Sequence, residues 1–430
     1  MFRLTDLARA QVDTCVHCGL CAEACPTYRE LGIEDDSPRG RIHLIRHLHT
    51  GELEPTPKVL EHLDLCLACR ACETACPSGV KYGAIIEEAR GQLERTRRRP
   101  FLQAQLRRLL FRGFLPRPAR LRLLARGLRL SQRLGLDRLA IRLGLVQGPL
   151  AEMAQVARVP DRFGSDLLPE RVPPVGPKRF TVAFVQGCVT DVLFGPTNLA
   201  SVRVLAANGC EVLIPRAQSC CGGLALHSGD REIARAQARQ NIDALLDCGA
   251  EYILINAAGC GSTLKEYHHL LADDPVYAER AHRFAAMVRD ITEFLGSIDL
   301  VPPPHPVPLR VTYQDACHLA HGQGIRLQPR QLLAQIPGLE LVSLPESDAC
   351  CGSAGIYNLV QAEMAQAVLR RKMEQVAATG AAVVASANAG CILQLRLGAR
   401  QRGLPLEVLH VIDLLDRAYG GETEGGAARG

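Results

Sequence analysis

The sequence contains no tryptophan, and aromatic residues make up only 4% of its 430 residues. Single-stranded nucleic acids are usually held by aromatic side chains on which the bases stack, so this scarcity argues against such a partner. The opening residues, MFRLTDLARAQVDTCVHCG, include no apolar core of a secretory signal. The sequence also has no uninterrupted run of about 18 apolar residues, the length that a transmembrane helix needs. We therefore expect a cytoplasmic protein whose thiols stay reduced.

Cysteine, in contrast, is abundant. The 18 cysteines recur at short spacings, which in a reducing compartment indicates metal or redox chemistry rather than disulfides. A chain of 430 residues is also too long for one hydrophobic core, because single cores stop growing near roughly 250–300 residues. The sequence therefore predicts several domains, with cysteine-rich sites in at least some of them.

Two cysteine runs near the start follow the spacing C-x2-C-x2-C-x3-C, and each is followed by proline. In bacterial two-cluster ferredoxins, the first three cysteines of such a run hold one [4Fe–4S] cluster and the fourth crosses to the other. We therefore predict two clusters with the following ligands: Cys15, Cys18, Cys21 and Cys76 for the first, and Cys66, Cys69, Cys72 and Cys25 for the second. Zinc, the alternative, takes two C-x2-C pairs and a spacer, which does not explain three cysteines at strict three-residue steps.

A second cysteine pattern occurs twice in the C-terminal half of the chain. The triplet Cys-Cys-Gly (CCG) occurs in SCCGG and again in ACCGS, and each copy has two further cysteines at matching positions. The matched cysteines are 129 to 131 residues apart, which indicates an internal duplication. They are Cys188, Cys220, Cys221 and Cys260 in the first CCG half, and Cys317, Cys350, Cys351 and Cys391 in the second.

Each CCG half alternates apolar runs with helical patterns, in the order strand, helix, strand, CCG loop, helix, strand, helix. This alternation predicts an α/β unit with a largely parallel sheet, in which ligands collect at the carboxyl ends of the strands. Four of the matched cysteines end predicted strands, so we expect each half to gather four sulfurs at one rim. These sulfurs form an additional metal or redox site or, alternatively, only pack within the duplicated fold.

Four other residues lie close to this pattern. Cys210 and Cys248 have no cysteine counterpart in the other half, and we expect them to be buried small apolar side chains. His318 follows Cys317 directly, and His227 lies just past the first triplet. Either histidine could donate a hydrogen bond to a cluster sulfur, or serve as an ordinary polar residue.

Taken together, these motifs resemble the iron–sulfur subunit of glycolate oxidase (glycolate dehydrogenase) over nearly the whole chain. The matching stretches are CVHCGLCAEACPTY, SPRGRIHLI, EHLDLCLACRACETACPSGVKY, NIDALLDCGAEYILINAAGCGSTLKEY and CCGSAGIYNL. The resemblance implies a complex in which a partner subunit carrying FAD oxidises a 2-hydroxy acid. This chain would then pass the electrons to a quinone or another acceptor, without catalytic residues of its own and without oxidising the substrate alone.

The same resemblance leaves other functions open. Related subunits serve lactate or glycerol-3-phosphate dehydrogenase complexes, and the duplicated halves resemble the cysteine-rich domains of heterodisulfide reductase. In that pattern the last cysteine belongs to a C-x-x-C pair, whereas Thr263 and Gln394 stand at the second position here. Their presence argues against a heterodisulfide or thiol reductase acting at the CCG site, and it leaves four sulfurs per half for a further iron–sulfur cluster.

The segment from Arg95 to Arg142 contains fifteen arginines and one acid, Asp137, with leucines at helical spacing between them. Pro116 and Pro118 should break it into at least two helices. Three roles remain open: a surface helix on anionic lipid at the inner face of the cell membrane, a docking face for a partner subunit, or a linker that packs its leucines on the domains. We expect no binding to nucleic acid, because no recognition motif accompanies the charge.

The expected architecture is therefore a multidomain chain of the α+β and α/β classes. Its predicted parts are a ferredoxin-like helical domain with two [4Fe–4S] clusters (1–92), an arginine-rich helical linker (93–176), two Rossmann-like α/β CCG domains (177–305 and 306–420) and a flexible tail (421–430).

Overall fold

The computed structural model describes residues 2–97 and 99–421 of the chain. Helices and loops make up the described part before residue 171, and two β-sheets follow. None of the described helices is both long enough and apolar enough to cross a membrane. The predicted tail over 421–430 lies outside the described residues, except for Gly421.

The first part of the chain is helical. Its elements are α1 (Asp6–Thr14), α2 (Pro26–Leu31), a 3-10 turn (Glu34–Asp36), α3 (Pro38–Thr50), α4 (Pro57–Asp64), α5 (Ala71–Thr74) and α6 (Tyr82–Thr96). They pack on one hydrophobic core that includes the fully buried Ile45, Leu63 and Ile85. The first cysteine run lies between α1 and α2, and the second lies between α4 and α6.

The arginine-rich segment also forms helices. Its elements are α7 (Phe101–Arg108), a π-helical turn (Leu109–Phe114), α8 (Pro118–Arg133), α9 (Leu136–Arg142), α10 (Gly148–Val156) and α11 (Gly164–Leu167). The predicted break at the two prolines is confirmed, because the π-helical turn ends at Phe114 and Pro118 begins α8. Phe111 and Leu115 are buried in the core of the following domain and attach the segment to it.

The first CCG half contains a five-stranded sheet. Its elements are β1 (Arg171–Val172), β2 (Phe180–Val185), α12 (Val189–Leu193), α13 (Gly195–Ala207), β3 (Cys210–Leu213), α14 (Gly223–His227), α15 (Arg231–Leu245), β4 (Tyr252–Ile255), α16 (Ala258–Lys265), α17 (Tyr267–Leu270), α18 (Ala278–Met287), β5 (Val288–Asp290) and α19 (Ile291–Leu295). The strand order is β1-β3-β2-β4-β5, and only β1 runs antiparallel to its neighbour.

The second CCG half contains a four-stranded parallel sheet. Its elements are β6 (Arg310–Tyr313), a π-helical turn (His318–Gly322), α20 (Gln328–Ala334), β7 (Glu340–Val342), α21 (Tyr357–Val360), α22 (Ala362–Ala378), β8 (Val383–Ser386), α23 (Ala389–Gln401), β9 (Glu407–His410) and α24 (Val411–Ala418). Its strand order, β7-β6-β8-β9, repeats the order β3-β2-β4-β5 of the first half. The predicted duplication and the parallel sheets are therefore confirmed.

The two CCG halves pack directly on each other. One hydrophobic core includes residues of both sheets, among them Phe184 and Tyr313. The loops that follow β4 and β8 also meet, because the backbone N–H of Ala258 donates to the carbonyl of Ala387 at 3.2 Å. The last cysteine of each half is therefore carried by segments that touch.

The prediction that these last cysteines end strands is wrong by a few residues. Strand β4 ends at Ile255 and Cys260 lies in the first turn of α16, while β8 ends at Ser386 and Cys391 lies in α23. The chain enters the crossover helix directly after each strand, since small Ala, Asn and Gly residues there allow the turn to begin at once. The sulfurs consequently lie beyond the strand ends, at the starts of helices.

Candidate metal centres

Four cysteines from both front runs line one cavity. Cys66, Cys69 and Cys72 come from the second run, and Cys25 comes from the first. The chain thus brings together the crossed set that the motif predicts for the second cluster. All four side chains are buried, and thiols around an enclosed space are the ligands that iron–sulfur clusters take, so the donor set fits such a group.

Arg41 of α3 lies at the wall of this cavity, and only 1% of its surface is exposed. It donates hydrogen bonds to the carbonyl of His62 at 2.7 Å, the Thr27 hydroxyl at 3.1 Å and the Asp36 carboxylate at 3.2 Å. Its Nη1 atom also lies 3.9 Å from the Cys25 sulfur. A fixed positive charge therefore stands beside the thiols.

This charge affects the thiols around it. Burial by itself would raise the pKa of Cys66, but the Arg41 and Arg90 guanidinium groups hold that pKa below its ordinary value. The Cys66 sulfur also accepts hydrogen bonds from the backbone N–H of Ala68 at 3.3 Å and from the Tyr82 hydroxyl at 3.7 Å. Cys66 is therefore disposed to ionise, which is the state in which a thiol binds metal.

The other predicted set lies closer to solvent. Cys18 is exposed, and Cys15, Cys21 and Cys76 are half-buried against the core of the helical part. Burial raises the pKa of Cys21 to about 11, and the nearby charges of Cys15 and Cys18 act in the same direction, so these three sulfurs lie close together. The two sets therefore differ in access: the first reaches the surface at Cys18, while the second is enclosed.

Among the residues that the structure describes, no three His, Cys, Asp or Glu side chains are placed to hold a single metal ion. A four-iron cluster is wider than one ion, so its ligands surround a volume instead of converging on a point.

In the first CCG half, the four matched cysteines come together. The Cys188 and Cys220 sulfurs lie 3.3 Å apart. Cys221 lies within hydrogen-bonding reach of Cys220 and Cys260, and these contacts, with burial, raise its pKa well above the ordinary value. The expected gathering of four sulfurs is therefore present in this half.

The second CCG half repeats this arrangement. The Cys350 side chain interacts with those of Cys317 and Cys351, and the Cys351 side chain interacts with that of Cys391. Cys350 also contacts Cys69 of the front block, and this contact is the main cause that raises the pKa of Cys69. The sulfurs of the second half therefore adjoin the enclosed cavity.

The backbone conformation of each CCG triplet explains why its third residue is glycine. Gly222 and Gly352 both have φ near +87°, in the left-handed region that favours glycine. A Cβ at Gly352 would lie 2.5 Å from the carbonyl oxygen of Ala365, and one at Gly222 would lie 3.1 Å from the Cα of Ala234. The loop must turn sharply and also let the next helix approach, so both triplets require glycine.

The positions that would supply a fifth sulfur are occupied by other side chains. The Thr263 hydroxyl donates to the carbonyl of Gly259 at 3.1 Å, and the Gln394 side-chain oxygen accepts from Asn358 at 2.9 Å. Both side chains are buried. Each CCG half therefore has four sulfurs, and the fifth position makes structural hydrogen bonds.

The two histidines near the repeat differ in their contacts. His318 Nδ1 lies 3.5 Å from the Cys317 sulfur, so this histidine can hydrogen-bond a candidate ligand. His227 instead lies 3.1 Å from the Glu87 carboxylate. Burial opposes the ionisation of Glu87, but contacts with His227 and Arg70 lower its pKa to about 2.

Backbone strain is concentrated at the cysteines. Five non-glycine residues among those described have positive φ: His17, Ala68, Arg70, Glu346 and Ala354. Each lies within four positions of a predicted cysteine ligand. Such conformations persist only where the surrounding structure holds them, and they gather at functional sites.

The leucines of the arginine-rich segment face solvent. Of 25 large hydrophobic side chains that are exposed in the described part of the chain, 14 lie between positions 101 and 150. On α8, Leu123 and Leu130 are 69% and 58% exposed, whereas Arg122 turns inward and lies 3.5 Å from Asp191. These exposed leucines do not pack on the domains, as the linker alternative expected them to.

Family comparisons agree with the parts seen in the structure. A 4Fe-4S dicluster domain matches residues 11–80, a cysteine-rich domain matches both 182–265 and 311–396, and the linker region of the glycolate oxidase iron-sulfur subunit matches 103–157. The chain therefore consists of a dicluster domain, a linker and two cysteine-rich domains.

Individual relatives identify the family. The chain is 40% identical to the probable glycolate oxidase iron-sulfur subunit of Bacillus subtilis strain 168, over 95% of this chain and 94% of that protein. It is 35% identical to the glycolate oxidase iron-sulfur subunit of Escherichia coli strain K12, over 94% of this chain and 93% of that protein. The chain belongs to the family of glycolate oxidase iron–sulfur subunits.

More distant similarities cover less or concern the fold alone. Lactate utilization protein A of Exiguobacterium sp. is 30% identical over 55% of this chain and 96% of that protein. A crystal structure of a hypothetical protein from Helicobacter pylori superposes with a TM-score of 0.54, over 98% of this chain and 74% of that chain, at 10% identity.

Sequence reasoning missed three charged residues at these sites. Arg41 stands in the stretch SPRGRIHLI, which carried the resemblance but suggested no role for it. Arg70 stands inside the second cysteine run, where the motif assigns roles only to the cysteines. Glu87 is one of several acids on α6, and nothing in the sequence distinguishes it from a solvated residue.

Proposed function

We propose that this chain is the iron–sulfur electron-transfer subunit of a flavin-dependent glycolate oxidase complex. The observation that carries the proposal is the enclosed cavity lined by four cysteines, in a chain that matches glycolate oxidase iron-sulfur subunits over more than nine tenths of its length. When bound, [4Fe–4S] clusters supply one-electron transfer at a potential set by their surroundings. Oxidation of the hydroxy acid is assigned to a partner subunit with FAD.

The two predicted cluster sites differ in their exposure to solvent, and this difference suggests different roles in electron transfer. Cys15, Cys18, Cys21 and Cys76 would hold the first cluster, and the exposed Cys18 places that set where an electron donor can approach. Cys25, Cys66, Cys69 and Cys72 would hold the second and keep water away from it. The contact between Cys69 and Cys350 gives the second set a direct neighbour in the second CCG half.

We further propose that the CCG halves are Rossmann-like and that their eight matched cysteines hold an additional iron–sulfur site. The contacts among the four sulfurs of each half support this assignment, as does the strained backbone beside Cys350 and Cys351. A thiol or heterodisulfide reductase is less favoured, because Thr263 and Gln394 fill the positions of the fifth sulfur.

The exposed leucines suggest a location for the complex. We propose that α8 and its neighbours lie on anionic lipid at the inner face of the cell membrane, where a quinone acceptor is available. Leu123 and Leu130 would enter the apolar layer, and the exposed Arg126 and Arg138, which make no ion pair with any described residue, would meet the lipid headgroups.

Electron transfer through this chain can be tested in the assembled complex. With Cys69→Ser, we expect glycolate to reduce the flavin of the partner as in the wild type, while reduction of an added quinone is lost. Stopped-flow flavin absorbance and quinone reduction measure the two steps separately. Cys248→Ser, a half-buried thiol outside every predicted set, is the control and should leave both unchanged. Full quinone reduction by the Cys69 variant would contradict the proposed function.

A lactate dehydrogenase complex is the second candidate. The similarity to lactate utilization protein A, over 55% of this chain, is the observation that favours it. The same stopped-flow experiment separates the two, because the substrate that reduces the partner flavin names the complex.

A further inference from the structure

Arg41 is held in place at the second cysteine set. Its guanidinium is fixed by hydrogen bonds to the His62 carbonyl, the Thr27 hydroxyl and the Asp36 carboxylate, so it cannot turn away from the cavity. The Nη1 atom lies 3.9 Å from the Cys25 sulfur. This charge is neither needed to ligate metal nor accounted for by the electron-transfer role alone.

We infer that Arg41 is a positioning residue that acts through Cys25 and its partner thiols to raise the reduction potential of the cluster they hold. The inference rests on the proposed function. Reduction adds one negative charge to the cavity, and a fixed cation stabilises that charge. The stabilisation is larger in an enclosed site than in water, because the effective dielectric constant is lower.

The negative charge of Asp36 opposes the effect of Arg41 on the reduction potential. Its carboxylate lies 3.2 Å from Arg41 Nη2 and 3.0 Å from His62 Nδ1, and only 2% of the residue is exposed. The carboxylate therefore offsets part of the arginine charge at Nη2, whereas Nη1 is the atom that lies near the Cys25 sulfur. Removing the arginine and removing the carboxylate should move the potential in opposite directions.

Arg39 provides a matched comparison on the same helix. It stands two residues before Arg41, but its side chain is 34% exposed and pairs with Glu34, with Nε 2.6 Å from Oε1. Water and this carboxylate screen its charge. Loss of Arg39 should therefore leave the potential of the enclosed cluster unchanged.

The test is an EPR-monitored reductive titration of the full-length chain, purified anaerobically with its clusters. We expect at least two transitions in the wild type, one for each cluster of the front cysteine runs. In Arg41→Gln one transition should shift to lower potential while the others stay, and Arg41→Lys should restore most of the shift because it keeps the charge. Asp36→Asn should shift the same transition upward, and Arg39→Gln should leave that transition in place.

The outcomes are distinguishable from a failure of the proposed function. Fewer than two transitions in the wild type would contradict the ligand assignments and the inference with them. Two transitions that Arg41→Gln leaves in place, or that Arg41→Gln and Asp36→Asn move in the same direction, would overturn the inference alone. If Arg41→Gln does not retain the enclosed cluster, Asp36→Asn decides, and an unchanged or lower potential in that variant overturns the inference.

Discussion

At the scale of single residues, the surroundings decide what each cysteine does. Cys210 lies fully buried in the core of the first sheet, and burial raises its pKa to about 12, so it behaves as the small apolar side chain that its lack of a counterpart predicted. Cys66 is equally enclosed, but two guanidinium groups hold its pKa below the ordinary value. Cys210 is thus an inert core residue, whereas Cys66 is a candidate metal ligand.

The triplet glycine is the residue whose replacement should be most instructive. Gly352→Ala places a methyl group in a left-handed conformation and 2.5 Å from the Ala365 carbonyl oxygen, so we expect a loss of about 2 kcal/mol or more in the free energy of unfolding. Gly380→Ala is the control, with φ +61° but nothing within 4 Å of the new Cβ, and should lose only about 1 kcal/mol. Urea unfolding measures both. Equal losses would mean that the close approach of α22 is unimportant.

At the scale of secondary-structure elements, α8 is the helix that departs from the usual pattern. A surface helix normally turns its apolar side to the core and its charges to water. In α8 the exposed side carries Leu123, Leu124 and Leu130, while Arg129 turns inward and donates to the carbonyl of Pro160 at 3.0 Å. The helix therefore exposes an apolar surface. The arginines around that surface favour an anionic binding partner.

Membrane contact through α8 predicts a specific dependence on lipid. The full-length chain should sediment with vesicles of phosphatidylglycerol and phosphatidylcholine, but much less with phosphatidylcholine alone. Replacing Leu123, Leu130 and Leu134 together by Gln should weaken binding at least about tenfold, since the apolar contact is lost. The control is Val276→Gln with Leu327→Gln, two side chains that are equally exposed elsewhere. Equal binding by both variants would contradict the proposal and favour a protein partner for this surface.

At the scale of the whole molecule, the three cysteine-bearing parts meet around Arg70. Its Nη2 atom lies 2.8 Å from an oxygen of Glu266 in the first CCG half and 3.5 Å from Glu87 of the dicluster domain. Tyr357 of the second half donates to the carbonyl of Leu65 at 2.8 Å. The dicluster domain is thus held against both halves, which keeps the distances between the cysteine sets constant.

The cofactor content of the whole chain tests the role of the two halves. With four irons in each [4Fe–4S] cluster, the front block accounts for about eight irons per chain. We expect more than this in anaerobically purified wild type, and a fall to about eight in Cys220→Ser/Cys350→Ser. Iron and acid-labile sulfide are measured together, with Cys210→Ser as the control because that thiol lies outside both sets. About eight irons in the wild type and the double variant alike would leave the halves a structural role.

Much of the fold could be predicted from local patterns. The alternation of apolar runs and helical periodicity predicted three strands in each CCG half, β2 to β4 and β6 to β8, and the 130-residue repeat predicted the duplication that the matching strand orders confirm. The predicted placement of Cys260 and Cys391 at strand ends was wrong by a few residues, because each strand ends before a short run of Ala, Asn and Gly that leads into the next helix. Strands β1, β5 and β9 were not predicted, because edge strands of two to four residues have little periodicity to recognise.

The sequence by itself determined the metal chemistry, the duplication and the family, because ligand spacing and repeat offset are properties of the chain that no folding step alters. Only the tertiary structure decided which charges stand beside which sulfurs. Arg41 is 25 positions from Cys66, and Cys69 is 281 positions from Cys350, yet each pair meets in the fold. Electrostatic effects depend on distance in space and on exclusion of water, and neither can be read from separation along the chain.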